Sequence, residues 1–301
     1  MSRWGRRPYD YVRGDVMKIG VVGSGTMGTG IGQVFAQNGH EVNQVDFDES
    51  KLSNSRKTME LSLSRLIKKN LLSEEIKTIL SRVKFSTDFN NLRDADLVIE
   101  AVYERIDVKK NVLEKISEIV KESTLIGTNT SSISINTLSS IIKRPERFMG
   151  IHFFNPVPVM KLVELVTSVK TEPETVNKIR NLLMEMDKAP VVSKDFPGFI
   201  SNRVLMQLIR EAILVLEEGI ATKEDIDKTF KLGMNHPMGP LELADFIGLD
   251  VCKDIMDVLY VEYGDPRFKP PIALRNSVSA GNLGRKSGEG FYKYGDKNDI
   301  H

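Results

Sequence analysis

Residues 18–28 read KIGVVGSGTMG, a β-branched run that breaks into a glycine-rich loop. Ile19, Val21 and Val22 suit a buried central strand, because branched side chains pack well on a pleated surface covered on both faces. Gly23, Gly25 and Gly28 then follow with G-x-G-x-x-G spacing. The first glycine permits a tight turn, the second lets the backbone approach a pyrophosphate, and the third packs a helix close to the strand. Ile31, Val34 and Phe35 lie at helical spacing within Met27–Gln37, so a helix N-terminus faces the loop. Its amides and dipole make that end an anion site, which places Thr26 and Met27 among the ligand-binding positions. Glu41–Val45 resumes as a strand, and Asp46 stands at its end, where a carboxylate can hold ribose hydroxyls.

A glycine motif alone is a weak signal. Here it lies between strand and helix with the acid at the required offset, so a dinucleotide site is the expected reading. Asp46 favours NAD over NADP, since a carboxylate there repels a 2′-phosphate and neighbouring Phe47 and Asp48 offer no arginine to receive one.

At 301 residues the chain is expected to form two domains. A 41% hydrophobic and 28% charged composition is that of an ordinary globular protein. Formal net charge is +1, which gives no reason to expect nucleic acid or anionic membrane as a partner. No apolar stretch is long enough to span a bilayer. The single cysteine, Cys252, excludes an internal disulfide framework and suits the cytoplasm, with an organellar matrix left open. Residues 1–16 are basic and aromatic without an apolar core, so they read as an extension ahead of Met17 rather than a secretory signal.

Strands and helices alternate from residue 17 to 194, which predicts a doubly wound, Rossmann-like α/β sheet. Glu49–Asn70 is expected to be a long helix with Leu52, Met59, Leu63 and Leu66 as its core stripe. Ser62, Arg65 and Lys69 form a polar band beside it, either a solvated face or a seat for the phosphates of a bulky ligand. Thr124–Thr128 reads as a strand delivering Asn129, Thr130, Ser131 and Ser132 at its C-terminal end, the edge where open α/β sheets bind ligands. DFPG at 195–198 marks a boundary, and residues 195–301 read as a smaller all-helical domain. Its first helix, Phe199–Glu218, is apolar over so broad an arc that it must be covered on more than one side.

Among four histidines, His152 in GIHFFNP lies near the end of a strand of the same sheet as the glycine loop. Glu164 falls mid-strand in LVELV, where a carboxylate is costly to bury without a partner. A strand–turn–strand unit through Asn155–Pro156 and Pro158 could bring the two together, the carboxylate fixing the imidazole tautomer. An ion pair of Glu164 with Lys161 or Arg147 is the competing reading. Oxidation of a secondary alcohol needs a hydride acceptor, a base for the hydroxyl proton and dipoles on the oxygen. His152 can be the base, while Ser131 and Asn202 are candidates for the dipoles. One cysteine and scattered histidines give no metal site.

GSGTMGTGI, NTSSISI, GIHFFNPVPVMKLVELV, DFPGFISNRV, KLGMNHPMGPLELADFIGLD and GRKSGEGFYKY together resemble the L-3-hydroxyacyl-CoA dehydrogenases, from about Met17 to Tyr294. The monofunctional 3-hydroxybutyryl-CoA dehydrogenases are especially similar. The resemblance implies NAD-dependent, reversible oxidation of an (S)-3-hydroxyacyl-CoA. It makes His152 the general base paired with Glu164, and brings Ser131 and Asn202 to the C3 oxygen. Asp46, Glu104, Lys109, Ser131, Asn155 and Lys286 then touch the dinucleotide, and Ser62, Lys69 and Ser131 meet coenzyme A. It also implies a homodimer formed through the helical domain. The alternatives are a sugar-acid dehydrogenase of L-gulonate type on the same scaffold, and an NAD-binding protein without turnover.

Overall fold

The computed structural model describes residues 15–295; most of the N-terminal extension, and His301, lie outside the described residues. Contacts divide the chain into two compact units, the first ending at Asp195 and the second starting at Phe196.

The first unit is built on one eight-stranded sheet. Its strands are β1 (Lys18–Val22), β2 (Glu41–Val45), β3 (Val83–Ser86), β4 (Leu97–Glu100), β5 (Leu125–Thr128), β6 (Phe148–Phe153), β7 (Leu162–Thr167) and β8 (Ala189–Lys194). They run in the order β3-β2-β1-β4-β5-β6-β7-β8. All neighbours are parallel except β6 and β7. Strand order reverses between β1 and β4, and in doubly wound sheets a ligand crevice opens beyond the carboxyl ends at such a point.

The helices of this unit are α1 (Thr26–Gln37), α2 (Glu49–Lys68), α3 (Ile76–Ser81), α4 (Ile106–Ile119), α5 (Ile135–Ser139) and α6 (Pro173–Glu185). Ile31, Val34 and Phe35 of α1 and Met59 and Leu63 of α2 join Ile19, Val21, Ile99, Met149 and Leu165 in one core. Helix α2 begins at Asp48, whose side chain accepts from the Ser50 amide. It stops at Lys68 rather than continuing to Asn70, because Asn70 turns left-handed (φ 55°). Five-residue α5 shows no repeating apolar period and is absent from the pattern-based expectation.

The second unit is helical: α7 (Ser201–Glu217), α8 (Lys223–Gly233), α9 (Pro240–Ile247), α10 (Leu249–Tyr263) and α11 (Ile272–Ser279). Met206, Ile209, Ala212 and Ile213 of α7 enter a core with Leu241, Cys252, Met256, Leu259 and Leu274. The broad apolar arc of α7 is covered only in part, since Val204 is 65% exposed. Thr222 caps α8, its hydroxyl accepting from the Asp225 amide. Burial pushes the Cys252 thiol up to about 12, so it is a packing residue with little thiolate at neutral pH. Among the described residues no helix is long and apolar enough to cross a membrane.

Candidate active site

The glycine loop leaves β1 stitched to the neighbouring strand, with the Gly23 amide donating to the Val45 carbonyl (2.8 Å). Gly23 has φ +109°, a left-handed conformation that favours glycine. At Gly28 a Cβ would stand 1.9 Å from the Gly23 carbonyl oxygen, so only glycine lets α1 pack this close. Gly25 differs from both. Nothing lies within 4 Å of where its Cβ would be, and no side chain caps the helix that it precedes. That is open space at a helix N-terminus, the shape required of an anion cradle.

Asp46 sits at the end of β2, 9% exposed. Its Oδ2 accepts from the Ser24 amide (2.7 Å) and its Oδ1 from the Asp48 amide (3.1 Å). The carboxylate thus ties the glycine loop to β2, and each oxygen retains a further lone pair. Gln44, completely buried, supports the same loop by donating to the Gly23 carbonyl (2.7 Å). These residues fit an NAD dinucleotide: open backbone for a pyrophosphate and a fixed carboxylate for a ribose.

His152 and Glu164 are directly opposed across β6 and β7. Opposed residues share a face of the sheet, and Nδ1 lies 2.9 Å from Glu164 Oε2. Glu164 is 1% exposed and His152 8%. Phe154 packs against the imidazole, ring centroids 4.6 Å apart. The two cations that could have competed for Glu164 are engaged elsewhere, Lys161 with Asp187 and Arg147 with the Ser123 carbonyl. Asn155 lies exposed in the loop that follows β6.

Ser131 belongs to a turn gathered around one carboxylate oxygen. Glu104 Oε1 accepts from Thr130 Oγ1 (2.6 Å), the Ser131 and Ser132 amides (2.9 and 3.1 Å) and both serine hydroxyls. Burial acts to raise the Glu104 carboxyl, but the Lys109 ammonium and these donors outweigh it and hold the group below its usual range. Lys109 and Glu100 form an ion pair at 2.8 Å with both side chains wholly enclosed. Burial pushes the Glu100 carboxyl up, while Lys109, Thr128 and the Val102 amide pull the other way.

The remaining candidates occupy two other places. Ser62 is half-buried on α2, and Lys69, just past its end, is exposed one heptad later with Arg65 between them. Asn202 lies in the first turn of α7 in the second unit. Lys286, also in the second unit, is paired with Asp250 (2.6 Å). The segment carrying Lys286 is clasped by Asp245, which accepts from the Phe291 and Tyr292 amides and the Tyr294 hydroxyl. Among the described residues no cluster of histidine, cysteine and carboxylates could hold a metal ion.

The sequence gives no role to Glu100, Gln44 or Asp245, and marks Asn129 only as one of four polar residues at the end of β5. Glu100 carried a signal, being a carboxylate inside the apolar run DADLVIEAV that must have a buried partner. Gln44 is a wholly buried polar residue on β2, whose sequence EVNQV mixes polar and apolar side chains and so does not single it out. Asp245 meets partners more than forty positions away, which local pattern does not reveal.

Two family models match this chain: the 3-hydroxyacyl-CoA dehydrogenase NAD binding domain over residues 18–196 and the 3-hydroxyacyl-CoA dehydrogenase C-terminal domain over 198–294. A probable 3-hydroxybutyryl-CoA dehydrogenase of Deinococcus radiodurans is 47% identical over 278 residues, 92% of this chain and 100% of that protein. The mitochondrial hydroxyacyl-coenzyme A dehydrogenase of Sus scrofa is 41% identical, covering 93% of this chain and 91% of that one. The crystal structure of (S)-3-hydroxybutyryl-CoA dehydrogenase from Ralstonia eutropha superposes with TM-score 0.90 at 46% identity, covering 94% of this chain and 100% of that one.

Proposed function

The chain belongs to the 3-hydroxyacyl-CoA dehydrogenase family, and from that premise we propose how its residues divide the work of the reaction. The enzyme oxidises an (S)-3-hydroxyacyl-CoA to the 3-oxoacyl-CoA with NAD, reversibly. Gly23–Gly28 and Asp46 would hold NAD, which would supply the acceptor for the hydride that leaves substrate C3.

His152 Nε2 takes the hydroxyl proton, and Glu164 on Nδ1 holds the tautomer and stabilises the imidazolium that forms. In the reverse direction the same imidazolium is the acid. Ser131 and Asn202 hold the C3 oxygen, where negative charge develops as the proton departs. Glu104, Asn155 and Lys286 serve the dinucleotide, and Ser62 and Lys69 serve coenzyme A, whereas Lys109, with no exposed surface, supports the site from beneath. The observation that carries this reading is the opposed His152–Glu164 pair at 2.9 Å.

Two chains associate through the helical unit, which the exposed Val204 on α7 supports. The compartment is the cytoplasm or an organellar matrix, in keeping with a single buried thiol.

The test is NADH formation from (S)-3-hydroxybutyryl-CoA, set against L-gulonate, by wild type and His152→Gln. Wild type reduces NAD with the thioester alone, and His152→Gln lowers kcat by about 10²–10⁴. Near-normal turnover by His152→Gln removes the histidine from the mechanism. Tight NAD binding without oxidation of any acyl-CoA points to a binding protein instead.

A further inference from the structure

We infer that Glu100, Lys109 and Asn129 form one frame, its ion pair wholly enclosed, that positions both His152 and Ser131, with Glu100 and Asn129 as positioning residues and Lys109 acting through them. The inference rests on the roles proposed above for His152 and Ser131.

The frame starts at the end of β4. Glu100 Oε1 accepts from Lys109 Nζ (2.8 Å) and the Val102 amide (2.7 Å), and Oε2 accepts from Thr128 Oγ1 (2.5 Å). The ammonium also donates to the Asn129 carbonyl (3.2 Å) and lies 3.4 Å from Glu104 Oε2. Asn129 is therefore gripped at its carbonyl by Lys109 and at its amide by the Glu100 carbonyl (2.7 Å). Its remaining side-chain acceptor, Oδ1, takes the Phe153 amide (3.0 Å).

That last bond matters most. The register of β5 with β6 runs from Ile126↔Phe148 to Thr128↔Gly150. Asn129 carries the attachment past that register to the peptide immediately after His152. The other arm runs through Glu104, whose Oε1 gathers the Thr130–Ser132 turn.

A buried ion pair is a poor way merely to stabilise a core, because an apolar pair of equal volume often does as well or better. Here the further bonds of the pair lead to Val102, Thr128 and Asn129, all in segments that carry or adjoin site residues. With no exposed surface, the Lys109 ammonium is placed to hold those segments rather than to touch the dinucleotide.

The experiment compares Asn129→Ala, Asn129→Asp, the doubly neutral Glu100→Gln/Lys109→Met and His152→Gln. Each is checked for wild-type-like circular dichroism, then measured for kcat at saturating substrates and for NADH affinity by fluorescence titration. A displaced catalytic group costs rate without ligand affinity, so Asn129→Ala and the double variant should lose about tenfold or more in kcat and keep NADH affinity within about threefold. Asn129→Asp, which retains the acceptor, should recover most of that rate.

The double variant removes both charges of the enclosed pair together, and Asn129→Ala leaves that pair intact, so failure of either to fold leaves the other decisive. A kcat loss below about fivefold in the folded variants, or a matching loss of NADH affinity, overturns the frame. If His152→Gln is impaired while Asn129→Ala is not, the frame alone falls. If His152→Gln turns over normally, the acid–base reading falls with it.

Discussion

His152 Nδ1 and Glu164 Oε2 lie 2.9 Å apart across the antiparallel β6–β7 ladder, in a sheet whose other neighbouring strands are parallel. Side chains alternate faces along a strand, so a one-residue slip of β7 would turn Glu164 away from the imidazole. Glu164→Gln keeps the size and removes the charge. Its amide can present an N–H to Nδ1 and so favour the wrong tautomer. We expect kcat to fall by about 10²–10⁴ while NADH affinity stays close to wild type. Stopped-flow and fluorescence titration separate the two quantities. An unchanged kcat would show that the carboxylate does not orient the base.

Glu104 makes stability depend on pH in a definite direction. Its folded carboxyl is held below the ordinary value of 4.5, so on acidification the unfolded chain takes up this proton first. The stabilisation is complete above that ordinary value and drains away as pH falls through the lower, folded one. Urea unfolding of wild type and Glu104→Gln should therefore differ most near about pH 7 and converge in acid. A gap that widens on acidification would contradict the assignment.

Much of this architecture is legible in the chain because the signals are local. The strand–glycine–helix unit at 18–37 and the acid at Asp46 need only neighbouring residues to be read. His152 and Glu164 are twelve positions apart, close enough for a strand–turn–strand unit to imply contact. The frame around Glu100 is different: its bonds join positions 100, 109, 129 and 153, and no periodic pattern relates them. The Asp245 clasp spans 46 to 49 positions and is equally invisible. The apolar width of α7 was readable, but which side the chain itself covers was not, since that depends on helices packed from later sequence.

Asp46 should govern both cofactor affinity and cofactor choice. Asp46→Asn loses the charge, and its amide nitrogen cannot accept from both the Ser24 and Asp48 amides. A charge-assisted hydrogen bond contributes about 1.5–3 kcal/mol, so NADH should bind about 10–150-fold more weakly. NADPH, relieved of repulsion, should lose less or gain. Parallel titrations with the two nucleotides check this, and an unchanged NADH-to-NADPH ratio would remove Asp46 from the discrimination.

Val204 tests the association of chains. It is 65% exposed on α7 although the helix is strongly apolar. Val204→Glu places a charge where apolar contact is expected, and desolvating an unpaired charge there costs several kcal/mol. Sedimentation should show wild-type dimers and Val204→Glu shifted toward single chains. Equal sedimentation of the two would place the interface elsewhere.

Gly25 and Gly28 answer the question of what the glycine loop is for. At Gly28 a methyl group would collide with the Gly23 carbonyl, so Gly28→Ala should damage the fold itself, lowering Tm along with NADH affinity. At Gly25 the backbone φ is −74° and no atom lies within 4 Å of a prospective Cβ, so alanine fits the protein without strain. If that space receives a pyrophosphate, Gly25→Ala should keep Tm within about 2 °C and weaken NADH by about tenfold or more. A loop that was only a turn would give wild-type affinity in Gly25→Ala. Thermal melts and NADH titrations of both variants therefore distinguish a glycine required by the chain from one required by its ligand.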